Sequence, residues 1–552
     1  MGFKSTFRKN LAIAVLVLTA ASAIAYVFSQ FVPYNMDEFS YYHPIICHHY
    51  KFNGINAFRE NCKGYDLSVL NLRFLPLRSY THIGAFASLY YYPVFFIFRH
   101  PISSRFFGAL SLLIQGLLIS KFFNIKKRYA IAFFLFFFPY FFQHLADTGN
   151  LAYMTVSIFI LYFLFERWMH EKKLRCSLAI AIVIFFGIWS KLVYIWLLPG
   201  IALMFLSIMI GRNARQHAKK ILMQSSVSLF LLLFLLSLLF FSKDRYGYHY
   251  FELVSGSNPP NLKILADFDE LSSHQVFRAM ANPLEATQRI FSVNEKISML
   301  SYIYGVSLIL FIPLCLMILL VFFYKKRKCL KQQALKVLLL YLAFIITAAI
   351  VFITPGTWAM HHIIPAFPFL ILGIFGAISA LKSLFEKEAK AYYINSIYNI
   401  PRIIIFSLFL FFMLFNLYFF ISFSKQPLNG SDDWSKIKLN GILKDKYLAS
   451  NYFYVVVDWG MYYYQGLYGP DEQSVIYIGP LNSMEQMNNL KKLAEDYNRK
   501  LLFIYTRPSE SDMELIQKSF DLKKCSLVDD KWVWNILLEK DDSLENPCFM
   551  NK

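Results

Sequence analysis

Eleven long apolar runs, separated by short clusters of lysine and arginine, span most of the chain and limit what it can become. A helix needs about 20 apolar residues to cross a bilayer, and a charge at its centre costs roughly 3 kcal/mol. Candidate spans on this reading cover about residues 11–32, 103–123, 129–146, 151–168, 176–190, 192–211, 221–242, 298–323, 334–353, 360–381 and 402–424. The composition agrees, since 57% hydrophobic and 16% charged residues in a chain of 552 describe an integral membrane protein. A formal charge of +20 would suit nucleic acid, but the basic residues fall in turns between apolar runs. That is the pattern of cytoplasmic loops, so membrane lipid is the expected surrounding and nucleic acid is excluded as a partner.

Starting from a cytoplasmic N-terminus, eleven crossings put every strong basic cluster on the same side. The clusters are Lys4/Arg8/Lys9, Lys121/Lys126/Lys127/Arg128, Arg167/Lys172/Lys173/Arg175, Arg212/Arg215/Lys219/Lys220, Lys325/Lys326/Arg327/Lys328 and Lys382/Lys387/Lys390/Arg402. The first run is read as a retained helix rather than a cleaved signal, because its uncharged stretch reaches Tyr34. The run "YTHIGAFASLYYYPVFFIF", residues 80–98, breaks the pattern. As a span it would turn five basic clusters outward, so it is expected to lie in the interface or to dip in and return. Residues 1–424 are therefore read as a multispan domain with two large outer loops, 33–102 and 243–296. Residues 425–552 are read as a small extracytoplasmic α/β domain, since "YFYVVVDWG", "SVIYIG", "LLFIYT" and "KWVWNILLE" look extended while "NSMEQMNNLKKLAEDYNRK" and "SESDMELIQKSF" look helical. Asp458 is read as a helix cap or as a ligand-facing acid. The expected localisation is a bacterial inner membrane, with the N-terminus cytoplasmic and the tail outside.

Candidate chemistry gathers on the outer side. "PYNMDEFSYYHP" places the adjacent carboxylates Asp37 and Glu38 just after the first span. One can take a proton from an attacking hydroxyl while the other orients it, binds sugar hydroxyls or helps hold a divalent cation; solvated loop acids are the plain alternative. "HPIICHHY" offers His43, Cys47, His48 and His49 to zinc, a set without specific spacing. Four cysteines fall outside as two local pairs, Cys47/Cys62 and Cys525/Cys548, open to reading as disulfides or as free thiols.

The order of several motifs resembles a known family. "MDEFSYY" after an N-terminal span, an interfacial helix, "SSRFFGALSLL", "LADTGN", "WSKLVYIWLLPG" and "HHIIPAFPFLIL" follow one another over roughly residues 11–380. This arrangement is similar to the GT-C glycosyltransferases, in particular the branch of protein O-mannosyltransferases and lipid A aminoarabinose transferases. The chain departs from that branch in lacking a glycine directly after Lys191 and in carrying His361-His362 where histidine-tyrosine is common. It has no "WWDYG" pattern, which separates it from the oligosaccharyltransferases. The resemblance implies an inverting transfer of a sugar from a polyprenyl-phosphate carrier to a lipid, glycan or protein acceptor on the non-cytoplasmic face. It assigns the general base to Asp37, with Glu38 in support. Substrate contacts fall to Arg105, Asp147, Lys191, His361 and His362. For Asp147 an N-cap role is open, for Lys191 snorkelling to headgroups, for Arg105 anchoring of its helix and for the histidines interfacial packing. The rivals are an inactive GT-C-like scaffold and a secondary transporter; the acids at span ends and the lack of an internal repeat speak against the transporter.

Overall fold

The computed structural model describes residues 2–31, 66–67, 72–76, 78–80, 83–97, 102–137, 140–146, 150–210, 218–242, 260–281, 295–311, 328–354, 362–389, 451–456, 475–477, 484–505, 522–529 and 532–539, with isolated positions elsewhere. The chain divides into two compact units: Met1–Val32, Thr81–Ser242 and His249–Gln426 form one, and Pro33–Tyr80, Lys243–Tyr248 and Pro427–Lys552 the other.

The first unit is helical. Among the described residues, seven helical segments are long and apolar enough to cross a membrane: Leu11–Ser29, Ile102–Phe123, Leu151–Glu171, Leu192–Ile210, Lys219–Phe241, Gln332–Ile353 and Ile364–Lys382. The chain is thus an α-helical, multi-pass membrane protein, and each of the seven falls on an expected span. They belong to α1 (Gly2–Phe31), α3 (Ile102–Phe123), α6 (Leu151–Glu171), α8 (Leu198–Ile210, preceded by a 3-10 turn at Leu192–Leu197), α9 (Ala218–Phe241), α11 (Lys328–Ile353) and α12 (Phe367–Ala389).

The remaining expected spans depart from single long helices for local reasons. Residues 129–146 form two pieces, α4 (Lys127–Phe136) and α5 (Tyr140–Ala146), with Pro139 between them. Proline has no N–H to donate and disfavours helical geometry in the residue before it, so "FFFPY" interrupts the helix. The expected span 176–190 is α7 (Leu174–Ser190), a 17-residue helix. The run 298–323 starts as α10 (Glu295–Val306) and passes into π-helix at Ser307–Phe311. Most of its remainder, and most of 402–424, lies outside the described residues.

The run at 80–98 contains α2 (Phe86–Ile97), a helix of 12 residues. At 1.5 Å per residue it extends about 18 Å, well short of a hydrocarbon core about 30 Å thick. It cannot cross alone.

Burial sorts the spans by position. Ile364–Lys382 has 83% of its apolar window enclosed by protein, whereas Leu11–Ser29 and Lys219–Phe241 have 11% each. The former is the centre of the bundle, and the latter two present leucines and phenylalanines to the surroundings. Because lipid tails are as apolar as leucine, association within the bundle relies on close packing, and small residues permit it. A Cβ on Gly200 of α8 would lie 2.7 Å from Thr347 Oγ1 of α11 and 2.7 Å from the Phe369 ring of α12. A Cβ on Gly373 of α12 would meet the Tyr341 ring of α11 at 2.5 Å. Gly373→Ala is expected to lower stability by roughly 1–3 kcal/mol through overpacking, read as a drop in the detergent-solubilised protein's melting temperature.

The second unit contains a five-stranded sheet built from β1 (Tyr452–Val456), β2 (Val475–Tyr477), β3 (Lys500–Tyr505), β4 (Leu522–Asp529) and β5 (Trp532–Glu539), in the order β2-β1-β3-β5-β4. The first three run parallel, and β5 and β4 close the sheet antiparallel, in register from Leu522↔Glu539 to Asp529↔Trp532. Helix α13 (Met484–Asp496) connects β2 and β3. Consecutive Leu501, Leu502 and Phe503 are all buried, as in a central strand covered on both faces. The β4 strand "LKKCSLVD", whose lysines mask its alternation, was not expected from the sequence; the other strands coincide with expected extended segments.

Candidate functional site

The described candidates, Arg105, Lys191 and His362, all belong to the helical unit. Asp37, Glu38, Asp147 and His361 lie outside the described residues, as do Asp458, the His43/Cys47/His48/His49 group and Cys47, Cys62 and Cys548. Cys525 is a strand residue of β4, and Cys176 is a buried free thiol. Among the described residues no cluster of three or more histidine, cysteine or acidic side chains is suited to a metal.

Arg105 stands in the first turn of α3 and is fully buried. A cation there opposes the helix dipole, at about 0.3–1 kcal/mol, and burying a guanidinium costs several kcal/mol more before compensation. Its Nη1 donates to Ser104 Oγ at 3.0 Å. A residue serving only to anchor a helix at the headgroups would keep its charge in water, whereas the Arg105 guanidinium is enclosed by protein.

Lys191 lies between α7 and the 3-10 turn, in extended geometry with φ −154° and ψ 128°, and is 7% exposed. Snorkelling requires an exposed ammonium, which this burial does not provide. The turn is clamped from several sides. Lys191 N–H donates to the Gly187 carbonyl at 3.2 Å, and Tyr194 N–H donates to the Lys191 carbonyl at 2.9 Å. The Tyr194 ring lies against Gly187, where a Cβ would approach it to 2.4 Å, and its hydroxyl pairs with Ser157 Oγ of α6 at 2.8 Å. On the other side Gly84 lies so close that a Cβ would sit 1.5 Å from the Trp189 carbonyl oxygen.

The short helix α2 makes aromatic contacts with the end of α7 and the start of α3. Phe86 stacks on Phe186 at 4.5 Å and lies 6.0 Å from Trp189, two residues before Lys191. Tyr90 and Tyr91 meet Phe107, two residues after Arg105, at 5.2 and 4.9 Å. The tyrosine-rich run thus forms an aromatic wall joining the N-terminus of α3 to the C-terminus of α7.

The structure also joins two of the sequence motifs directly. Asn150 of "LADTGN" donates from Nδ2 to the Ser190 carbonyl at 2.8 Å, and Ser190 Oγ donates to Asn150 Oδ1 at 2.9 Å. Asn150 occupies the N-cap position of α6.

Beside this lies a buried polar group. His144 Nδ1 donates to the Tyr140 carbonyl at 2.7 Å, and its Nε2 is 2.7 Å from Thr155 Oγ1. Gln115 of α3 donates to Ser111 Oγ and Thr155 Oγ1 and accepts from the Tyr140 hydroxyl at 2.6 Å. Side-chain hydrogen bonds among α3, α5 and α6 thereby fix the relative rotation of three helices. Sequence reasoning passed over Asn150, Ser190, His144 and Gln115. The signal was present in "SLLIQGLLI" and "FFQHLAD", where polar residues interrupt apolar spans. His362, half-buried, lies two residues before the 3-10 turn Ile364–Ala366 that leads into α12.

No protein-family description and no curated protein matches this chain.

Proposed function

We propose that the protein is an inverting glycosyltransferase of the GT-C type, moving a sugar from a polyprenyl-phosphate carrier to an acceptor on the non-cytoplasmic side of the membrane. The observation that carries this reading is the burial of two cations at helix ends, Arg105 in the first turn of α3 and Lys191 just after α7. Ionisable residues buried within a membrane protein are commonly functional, and binding a fixed anionic ligand is the role this reading gives the two cations. A polyprenyl phosphate supplies such an anion at the depth where span ends meet headgroups, and its tail suits the surrounding lipid.

In this mechanism Asp37 removes the proton from the acceptor hydroxyl, with Glu38 holding the acceptor or a divalent cation. The hydroxyl oxygen attacks the anomeric carbon as the bond to the phosphate oxygen breaks, inverting the configuration. Arg105 and Lys191 take up the charge that collects on the departing lipid phosphate, which stabilises the transition state more than the ground state. Asp147, His361 and His362 supply further substrate contacts. The 425–552 segment is assigned to acceptor binding.

Lys191→Met keeps the stem and removes the charge. It is expected to raise the donor KM and lower kcat/KM by about 10–100-fold, the value of one charge-assisted contact to phosphate. An orientation experiment tests the reading as a whole. A membrane-impermeant label directed to a cysteine introduced at Ser40, in a variant lacking the native cysteines, is expected to react in intact cells. Reaction only after permeabilisation would put the acidic pair on the wrong side and end the proposal.

A further inference from the structure

We infer that Asn150 is a positioning residue for Lys191, acting through Ser190; the importance of Lys191 itself rests on the function proposed above. Asparagine is among the best N-cap residues, because its side-chain oxygen can accept from the free N–H groups of the first turn. Asn150 occupies the N-cap position of α6, and its carbonyl accepts the helical bond from Met154 N–H at 2.9 Å. Yet its side chain makes no capping hydrogen bond. Both ends of the amide go instead to one residue 40 positions away, Ser190.

The orientation of that amide is dictated by chemistry. The Ser190 carbonyl only accepts, so the NH2 group must face it, and the amide oxygen is left to accept from the Ser190 hydroxyl. Asn150 and Ser190 are 1% and 0% exposed, so no water competes for these bonds. The consequence falls on the next residue. Ser190 is the last residue of α7, and its carbonyl is one of those that a helix end leaves without an intrahelical partner. Asn150 occupies it, while Gly84 packs against the carbonyl of Trp189. With both carbonyls enclosed, the chain leaves the helix at Lys191 in one defined extended geometry, and the lysine Cα is fixed from the "LADTGN" loop.

Amine acetylation with quantification by mass spectrometry reads this clamp without any substrate. In the detergent-solubilised full chain, Lys191 is expected to label slowly, with exposed Lys173 as internal reference. Asn150→Ala should speed labelling of Lys191 on the order of tenfold by allowing local opening, with Lys173 unchanged. Ser190→Ala keeps the bond to the carbonyl and should give a smaller rise; it also serves if the asparagine variant does not fold. An unchanged Lys191 rate in Asn150→Ala, or in Ser190→Ala where that variant must stand in, overturns the proposal, as does a parallel rise at Lys173, which would signify general loosening. Added C55 polyprenyl phosphate should protect Lys191 in the unsubstituted protein. Faster labelling in the variants without such protection would leave the clamp standing and remove the donor role of Lys191.

Discussion

Asp37→Asn is expected to reduce sugar transfer by roughly 10²–10⁴-fold, the usual contribution of a positioned general base, while the protein still folds and binds donor. Asparagine keeps the size and one hydrogen-bonding oxygen of aspartate but cannot take a proton. The loss should therefore appear in kcat, with the donor KM little changed. Glu38→Gln should cost less, because its assigned task is orientation. If the larger loss follows Glu38→Gln, the two carboxylates exchange roles. Equal wild-type rates in both variants would describe a pair of solvated loop acids and would take the general base away from Asp37.

Gly84→Ala is expected to be the most damaging single methyl addition among the described residues. The new carbon would sit 1.5 Å from the Trp189 carbonyl oxygen. Backbone cannot rotate away as a side chain does, so the segment before α2 must separate from the end of α7. Overpacking commonly costs 1–3 kcal/mol, and a clash with main chain belongs at or above the top of that range. Separation also pulls the Phe86 ring off Phe186 and Trp189. The measurement is a paired one: melting temperature in detergent, and the labelling rate of Lys191. Both should move in Gly84→Ala, whereas Asn150→Ala should move chiefly the second. A Gly84→Ala protein with ordinary stability and a slow Lys191 would contradict this packing.

The helical architecture was legible because its cause is one-dimensional. Twenty apolar residues and a flanking lysine cluster can be read along a line, and all seven qualifying helices fall on expected spans. Interruptions were harder. Helix α4 ends at Phe136 inside a run whose hydropathy is continuous, and hydropathy carries no information about a missing N–H donor such as that of a proline three residues on. That the run 80–98 lies in the interface or dips in and returns was inferred from charge on distant loops rather than from its own residues, among which α2 has 12. In the tail, β4 was overlooked because "LKKCSLVD" owes its place to the antiparallel pairing with "WVWNILLE", a partner effect that no local pattern carries.

At the site, residue types were legible and partnerships were not. Arg105 and Lys191 could be picked as cations at span ends, but only packing reveals that they are 0% and 7% exposed. Asn150 and Ser190 look unremarkable in sequence, since each is a common helix-end residue. Their reciprocal bonds join segments 40 residues apart, and nothing in either segment announces the other.

The claim of transfer from a lipid-linked donor is tested most directly by profiling polyprenyl-phosphate sugars and envelope glycans by mass spectrometry, in cells with the protein, without it, and with only Asp37→Asn. The expected result is one polyprenyl-phosphate sugar that accumulates equally in the last two strains, with loss of that sugar from one envelope glycan. Identical lipid-linked sugars and identical glycans in all three strains would contradict it.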